Sequence, residues 1–211
     1  MEEVTIVDYG AGNIANVMKA LKAVGLSGRL SDQADEIAQA KALIIPGVGA
    51  FNKAMQALNS KNLVQPIRDF ADSGRPVLGI CLGMQLLFDE SSEFGHTQGL
   101  GLVPGKVIEL PAQPGYRVPQ MGWNDNQVQQ ENPLTQDLKD EATYFVHSYY
   151  ARTQPENLAA SVQFGQVEVP SVVVNKNVFG TQFHPEKSGS IGLQLLKNFK
   201  KMVNAYDPSS N

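Results

Sequence analysis

The sequence offers little sulfur chemistry and little net charge. Its 211 residues contain one cysteine, Cys81, so no disulfide can form within the chain and no site with several thiolate ligands can hold zinc or an iron–sulfur cluster. The formal net charge is −4, from 17 basic and 21 acidic residues, which gives no positive footprint for nucleic acid or an anionic membrane. We therefore expect a protein of a reducing compartment, with no nucleic-acid partner and no membrane partner.

Long hydrophobic runs are also missing. No apolar stretch approaches the roughly 20 residues that a membrane-spanning helix needs, and residues 1–8 lack the basic and apolar regions of a signal peptide. We therefore expect a cytoplasmic protein. Because 42% of the residues are hydrophobic, the chain can still bury a sizeable core. We expect a single domain over residues 1–206 and a frayed tail at residues 207–211.

Hydrophobic patterning predicts an α/β fold. In the first half, apolar runs at residues 4–8, 42–46 and 76–80 alternate with helical patterns at 14–24 and 62–71. This rhythm predicts a doubly wound, mostly parallel sheet with helices on both faces. After residue 91, short strands separated by Gly, Pro and Asn predict an antiparallel extension in the C-terminal half. The remaining predicted elements are a weaker strand at 29–31, strands at 103–108, 143–151, 159–163, 172–174 and 178–182, a loop over 105–126 and a closing helix at 191–206.

The sharpest local pattern surrounds the single cysteine. A predicted strand ends in Gly79-Ile80-Cys81-Leu82-Gly83, and a helical pattern follows. This is the pattern of a nucleophile elbow with sulfur in place of oxygen, in which flanking glycines let neighbouring backbone pass close to a strained nucleophile. The start of the helix favours the thiolate, and the Leu82 amide is placed to stabilise an oxyanion. A lone cysteine is often a small buried core residue, but a core cysteine does not need two flanking glycines.

A cysteine nucleophile generally needs a base, and the chain has three histidines. His96 lies in a glycine-rich loop, and His147 lies in a strand pattern where a satisfied, half-buried histidine is the simpler interpretation. His184 follows the last predicted strand and is followed by a proline and Glu186. The proline restrains the backbone, so the carboxylate can orient the imidazole and complete a triad with Cys81. His-x-Glu also occurs in zinc deaminases, but the further cysteine ligands of those enzymes are absent here.

A third segment, Pro46-Gly47-Val48-Gly49, ends a predicted parallel strand. It should therefore reach the same carboxyl edge of the sheet as Cys81, where ligands bind in open α/β folds. The glycines on either side of Val48 would let the backbone approach a substrate, so the Val48 amide is a candidate second oxyanion donor. Taken alone, this segment is better explained as a plain strand-to-helix turn.

Together these segments resemble the class I, triad-type glutamine amidotransferases, and the resemblance covers essentially the whole chain. Pro-Gly-Val-Gly at 46–49, Gly-Ile-Cys-Leu-Gly-Met-Gln at 79–85 and Gln-Phe-His-Pro-Glu at 182–186 occur in the order of that family. Within the family, residues 8–13, 121–124 and 144–150 are similar to glutaminase subunits that serve histidine biosynthesis. One position departs from the pattern, because Gln120 stands where such subunits tend to have a histidine.

The resemblance implies an activity and a set of site residues. L-Glutamine would be hydrolysed to glutamate and ammonia through a thioester on Cys81, with His184 as acid and base and Glu186 orienting its ring. The oxyanion donors would be the amides of Val48 and Leu82. The residues around the bound glutamine would be Gly49, Gln85, Ser148 and Tyr149. No cofactor and no metal is implied.

The resemblance also implies a protein partner. A cyclase (synthase) subunit would dock over the glutaminase site, form a heterodimer and enclose a conduit, because free ammonia would otherwise be protonated and lost in water. Trp123 and Lys187 are the candidates for the partner side, although a packed aromatic and a solvated lysine are the simpler interpretations.

Three other functions stay open at this point. The chain could be a glutaminase subunit that serves another ammonia-accepting synthase. A cysteine hydrolase of similar fold would share the elbow, but we do not expect it to carry a late Phe-His-Pro-Glu. A catalytically silent subunit would be expected to lose triad residues, and all three are present here.

Overall fold

The computed structural model describes residues 2–206, which contain fourteen strands and six α-helices. The strands are β1 (Glu2–Val7), β2 (Leu26–Ser31), β3 (Leu43–Gly47), β4 (Val77–Cys81), β5 (Phe88–Ser91), β6 (Thr97–Gln98), β7 (Val103–Glu109), β8 (Gln120–Asp125), β9 (Gln127–Val128), β10 (Ala142–His147), β11 (Tyr149–Thr153), β12 (Leu158–Phe164), β13 (Val167–Asn175) and β14 (Val178–Thr181). The helices are α1 (Ile14–Ala23), α2 (Ala34–Gln39), α3 (Phe51–Ser60), α4 (Val64–Asp72), α5 (Leu82–Leu86) and α6 (Gly189–Ala205), with short 3-10 turns at Pro155–Asn157 and Pro185–Lys187. The predicted tail at 207–211 lies outside the described residues.

The largest sheet has eight strands in the order β2-β1-β3-β4-β14-β13-β12-β9. Its first five strands run parallel, and β13, β12 and β9 continue it antiparallel. Strands β3 and β4 are buried along their whole length, as expected for parallel strands covered on both faces. The predicted α/β architecture, with a mostly parallel sheet and an antiparallel extension, is confirmed.

Two apolar cores cover the two faces of this sheet. One contains Leu21 of α1 and Phe199 of α6, and the other contains Met55 of α3. The neighbours Ile44 and Ile45 on β3 belong to different cores, because successive side chains on a strand point to opposite faces. Both carboxyl strand ends that carry the sequence motifs are therefore fixed between two packed layers.

Helices α2 and α3 are absent from the sequence prediction. Helix α2 has six residues and one buried side chain, which is too short for a periodic pattern. Helix α3 buries Phe51, Ala54, Met55 and Leu58, whose spacing of three and four residues is a helical signal that the sequence does contain. Among residues 2–206, no helix is long and apolar enough to cross a membrane.

Two predictions about the second half of the chain are wrong. The predicted loop over 105–126 contains β8, which pairs antiparallel with β10. Its apolar residues Met121 and Trp123 alternate with other residues, but both are exposed and only Gln120 of this strand is buried, so the strand has no buried apolar face. The single strand predicted at 143–151 is broken at Ser148 into β10 and β11, which join different sheets. Strand β11 belongs to a four-stranded sheet in the order β11-β7-β5-β6, in which β7 pairs antiparallel with β11 and parallel with β5.

Candidate active site

The cysteine sits at a strained turn between β4 and α5. Cys81 adopts φ +55° and ψ −112°, a left-handed conformation that a residue with a side chain rarely takes. A Cβ added to Gly83 would lie 1.7 Å from the carbonyl oxygen of Ile45 on β3, and one added to Gly79 would lie 2.6 Å from the carbonyl oxygen of Gly83. Any side chain at these two positions would push α5 away from the sheet, so the glycines allow the turn to form.

A cavity of about 350 Å³ opens beside the cysteine. It brings together most of the predicted site residues, from both the elbow and the later strands. Its lining includes Cys81, Leu82, Val48, Gly49 and Gln85 on one side and Ser148, Tyr149, His184 and Lys187 on the other. Of the remaining predicted residues, Glu186 lies behind His184 and Trp123 lies outside the cavity.

His184 and Glu186 form a buried pair. The ring Nδ1 lies 2.8 Å from Glu186 Oε1, and the two side chains are only 2% and 1% exposed. Burial by itself lowers the pKa of His184, but its hydrogen bonds with Cys81 and Glu186, together with their negative charges, raise that pKa to about 9. The arrangement therefore favours a protonated His184 imidazole beside Cys81 at neutral pH.

The loop that carries His184 is tied to β10 by backbone and hydroxyl hydrogen bonds. The His184 amide donates to the carbonyl oxygen of Tyr144, and the Ser188 hydroxyl donates to the carbonyl oxygen of His184 at 2.7 Å. The same hydroxyl accepts the Tyr144 amide at 3.0 Å. The position of the base thus depends on a strand about 40 residues earlier in the sequence.

His147 is a second buried histidine in the cavity wall, and the prediction of a satisfied strand histidine holds for only half of its ring. Nδ1 lies 2.8 Å from the carbonyl oxygen of Tyr149, so this nitrogen carries the proton. Nε2 has no hydrogen-bond partner among the described residues. Burial lowers the pKa of His147 to about 4, only partly offset by the bond to Tyr149, and the charge of nearby His184 lowers it further. The two histidines therefore hold opposite protonation states.

Glu93 lines the cavity and is not among the residues predicted from the sequence. Its side chain accepts the Phe51 amide at 2.7 Å, at the start of α3, and the residue is 8% exposed. Burial raises the pKa of Glu93, while the bond from Phe51 opposes that rise. Glu93 places a carboxylate where a cationic group of a ligand can pair with it. It belongs to no local motif, so only the three-dimensional fold reveals it.

Gln85 links the cavity wall to the elbow. Its amide nitrogen donates to the carbonyl oxygen of Tyr149 at 2.8 Å and to Gln182 Oε1 at 3.0 Å. Both amide protons are thereby used, so a ligand would meet the Gln85 oxygen. Gln182 is fully buried and in turn donates to the sulfur of Cys81 at 3.9 Å. Gln85 therefore lies in the cavity wall. It also begins a chain of hydrogen bonds, through Gln182, that reaches Cys81 and that the sequence does not predict.

The two residues predicted to face a partner lie on a shared surface. Trp123 is 55% exposed and packs edge-to-face on Tyr144, with ring centroids 6.0 Å apart. Lys187 is exposed, and its Nζ lies 5.9 Å from the centroid of the same Tyr144 ring. Trp123 is therefore a surface aromatic rather than a core one.

The described residues also bear on metal binding. Within residues 2–206, no group of three or more His, Cys, Asp or Glu side chains is arranged to hold a metal ion. His96, the third histidine, is exposed and pairs with Glu90 at 2.7 Å.

Comparisons with known proteins identify the family of the chain. A family model described as "Glutamine amidotransferase class-I" matches residues 5–202. A Lacticaseibacillus casei protein described as "Imidazole glycerol phosphate synthase subunit HisH" is 54% identical over 200 residues, covering 95% of this chain and 96% of its own. A Lactiplantibacillus plantarum protein of the same description is 51% identical over 206 residues, covering 98% and 99%. A solved structure described as "Crystal structure of glutamine amidotransferase" shares the fold, with a TM-score of 0.75, 20% identity and coverage of 96% of this chain and 100% of its own.

Proposed function

This chain belongs to the class-I glutamine amidotransferase family, and we propose that it is the glutaminase subunit of an imidazole glycerol phosphate synthase. In that function it hydrolyses L-glutamine and passes the ammonia to a cyclase subunit. The observation that carries the proposal is the cavity in which Cys81 faces a charged His184 backed by Glu186. The names of the relatives, which span almost the whole chain, supply the choice of synthase.

The first half of the reaction forms a thioester. The Cys81 thiolate attacks the side-chain carbonyl carbon of glutamine, and the carbonyl oxygen becomes an oxyanion that the amides of Leu82 and Val48 stabilise. The protonated ring of His184 then gives its proton to the departing nitrogen. Ammonia leaves, the acyl group stays on sulfur and His184 becomes neutral.

The second half of the reaction restores the enzyme. Neutral His184 takes a proton from water, and the hydroxide attacks the thioester carbonyl. The resulting tetrahedral intermediate expels the thiolate of Cys81, glutamate is released and His184 is again protonated. Glu186 holds the ring in one orientation and stabilises its charged form in both halves.

The amino-acid end of glutamine fits the far wall of the cavity. The Glu93 carboxylate is positioned to pair with the substrate ammonium group, which compensates for the burial of both charges. The Gln85 oxygen and the exposed parts of Gly49, Ser148 and Tyr149 supply further polar contacts. These contacts determine the affinity for glutamine rather than the rate of the chemical steps, because they lie away from the bond that breaks.

The partner docks on the surface around the mouth of this cavity. Val48, Met121 and Trp123 expose 46%, 65% and 55% of their areas. Val48 lines the cavity, and Met121 lies on β8 opposite the lining residue Val146, so exposed apolar side chains are available beside the cavity for a protein partner. Lys187 connects this surface to the cavity, because it lines the cavity and lies near the Tyr144 ring against which Trp123 packs. A cyclase subunit seated here forms the heterodimer and keeps ammonia from water, and we place the complex in the cytoplasm.

The direct test measures glutamate release from L-glutamine by the purified chain, alone and with a cyclase subunit and its nucleotide ligand. The control is Cys81→Ala, which should release none. We expect strong, Cys81-dependent stimulation by the partner. Turnover that this partner fails to stimulate would favour another ammonia-accepting synthase, and no Cys81-dependent turnover under any condition would rule out a glutaminase.

A further inference from the structure

Tyr9 belongs to a segment whose sequence is distinctive but which lines no part of the cavity. It lies two residues after β1 and is 2% exposed, and its hydroxyl donates to the carbonyl oxygen of Pro46 at 2.5 Å. Pro46 is on β3 and lies 37 residues after Tyr9 in sequence, so this hydrogen bond ties the segment that follows β1 to β3. The N-terminal loop therefore holds the strand end that leads into the Val48 turn.

The hydrogen bond from Tyr9 to Pro46 lies close to the backbone that carries the two proposed oxyanion donors, the amides of Val48 and Leu82. Gly47 ends β3 and lies opposite Cys81 in the parallel pairing of β3 with β4. A Cβ added to Gly47 would lie 2.5 Å from the Tyr9 hydroxyl oxygen and 2.9 Å from the amide nitrogen of Gly83. The next residue, Val48, is 46% exposed, so the turn is supported at its Gly47 end and open beyond it.

The tyrosine is itself well anchored. Lys61 Nζ donates to the carbonyl oxygen of Asp8 at 3.1 Å and to Asp32 at 2.9 Å, and the Gly10 amide donates to Asp8 Oδ1 at 3.0 Å. Burial, and to a lesser degree the charge of Cys81, raise the pKa of Tyr9, so its hydroxyl remains a donor while the thiolate forms. A fixed donor of this kind restricts the peptide that it holds.

We propose that Tyr9 is a positioning residue for the glutaminase reaction: its hydroxyl fixes the Pro46–Gly47 peptide and thereby holds the Val48 amide where the oxyanion develops. This inference rests on the proposed function and adds a residue to it. Tyr9 touches neither substrate nor sulfur, so its effect should appear only in states that carry the oxyanion.

The test compares Tyr9→Phe with Tyr206→Phe in the complex with the cyclase subunit. Each change removes one phenolic hydroxyl that donates to a backbone carbonyl, and Tyr206 bonds Ser73 at 3.1 Å, away from the cavity residues. Two ligands are bound to each variant. The Cys81 thiolate adds to the aldehyde carbon of glutamate γ-semialdehyde: the C–S bond forms, the C=O π bond breaks, and the oxygen becomes an alkoxide that takes up a proton to give a tetrahedral hemithioacetal. Glutamate forms no tetrahedral adduct at its side-chain carboxylate carbon.

We expect Tyr9→Phe to weaken semialdehyde binding about 10- to 100-fold, since loss of a whole oxyanion donor typically costs about 100- to 1,000-fold in rate. Glutamate affinity should change less than about 3-fold, and kcat should fall with KM nearly constant. Tyr206→Phe should match the unsubstituted chain in every assay.

Equal losses of semialdehyde and glutamate affinity, or no loss of either, would overturn the role of Tyr9. A fall in melting temperature with unchanged semialdehyde affinity would do the same, because it would assign the hydroxyl to folding alone. If the unsubstituted complex shows no Cys81-dependent semialdehyde binding, both the proposed function and this inference fail.

Discussion

The two sides of the cavity are built on different physical principles. The elbow side, residues 43–49 and 77–86, is held by backbone packed against backbone, as the contact between Gly83 and Ile45 shows. The wall side, residues 91–93, 142–153 and 182–188, is held by buried polar groups such as His184, Glu186 and Ser188. Steric packing positions Cys81, and hydrogen bonds position His184. One added methyl group should therefore do most damage on the elbow side, where the hydrogen bond from Tyr9 to Pro46 adds to the backbone packing. A lost polar atom or a change of pH should do most damage on the wall side.

The largest effect is expected from Gly83→Ala on the elbow side. Its methyl group would collide with the Ile45 carbonyl oxygen at 1.7 Å, so β3 or α5 must move. We expect the free energy of unfolding to fall by at least about 3 kcal/mol and glutaminase activity to be lost. Chemical denaturation and glutamate release in the presence of the cyclase measure the two effects.

Gly115→Ala is the control for that change. Gly115 has φ +81° with nothing within 4 Å of an added Cβ, so only its backbone strain, about 1–2 kcal/mol, should be felt. Equal stability and activity of the two variants would show that backbone packing does not position the nucleophile.

The next largest effect is expected from Glu186→Gln on the wall side. The neutral amide keeps the shape of the side chain but removes a charge that raises the pKa of His184. We expect kcat to fall on the order of 10⁴-fold, the loss seen when an amide replaces such an orienting carboxylate. Steady-state kinetics of the cyclase complex measure this change.

The pH profile of the same variant gives a second readout. If His184 protonates the departing ammonia, as proposed, activity should fall as pH rises through about 9 in the unsubstituted enzyme. In Glu186→Gln that limb should move to lower pH, because a protonated ring loses its partner. An unmoved limb would show that Glu186 does not stabilise the charged ring.

The contrast between the two sides also explains what could be predicted from the sequence. The elbow is local: the glycines, Cys81 and the apolar strand before it lie within a few residues, so their pattern is readable. The wall is not local, because Gln182 meets Gln85 across 97 residues and the Glu93 side chain meets the Phe51 amide across 42. Tertiary hydrogen bonds of this kind leave no periodic signal. The break at Ser148 was missed for the same reason, since it reflects pairing of β10 and β11 with different strands.

A smaller effect is expected from Glu93→Gln, which tests a residue that the structure alone reveals. If Glu93 pairs with the ammonium group of glutamine, removing its charge should raise KM about 10-fold or more while kcat changes less. Glu90→Gln is the control, because Glu90 lies on β5 nearby but pairs with exposed His96. Kinetics with L-glutamine measure both variants, and equal KM values would remove Glu93 from the substrate site.

We expect His147→Gln to have the smallest effect of these variants at neutral pH. In acid, the same variant should differ clearly from the unsubstituted chain in its free energy of unfolding. The unfolded chain binds a proton at this histidine near pH 6.5, whereas the folded chain does so only near pH 4, because the ring is buried. As pH falls from 6.5 towards 4 the unfolded state therefore gains protons first, and the fold loses stability, by about 2 kcal/mol between pH 7 and pH 4.5. His147→Gln removes that loss. Its unfolding free energy, measured by urea denaturation, should decline less steeply than that of the unsubstituted chain over this range.

His96→Gln supplies the matched control for this acid effect, because His96 is an exposed histidine that pairs on the surface. Its stability curve should follow that of the unsubstituted chain. If His147→Gln also follows it, the buried ring must accept a proton as readily in the folded state as in the unfolded one. His147 would then not have a lowered pKa, and the inference that His147 is neutral while His184 is charged would be wrong.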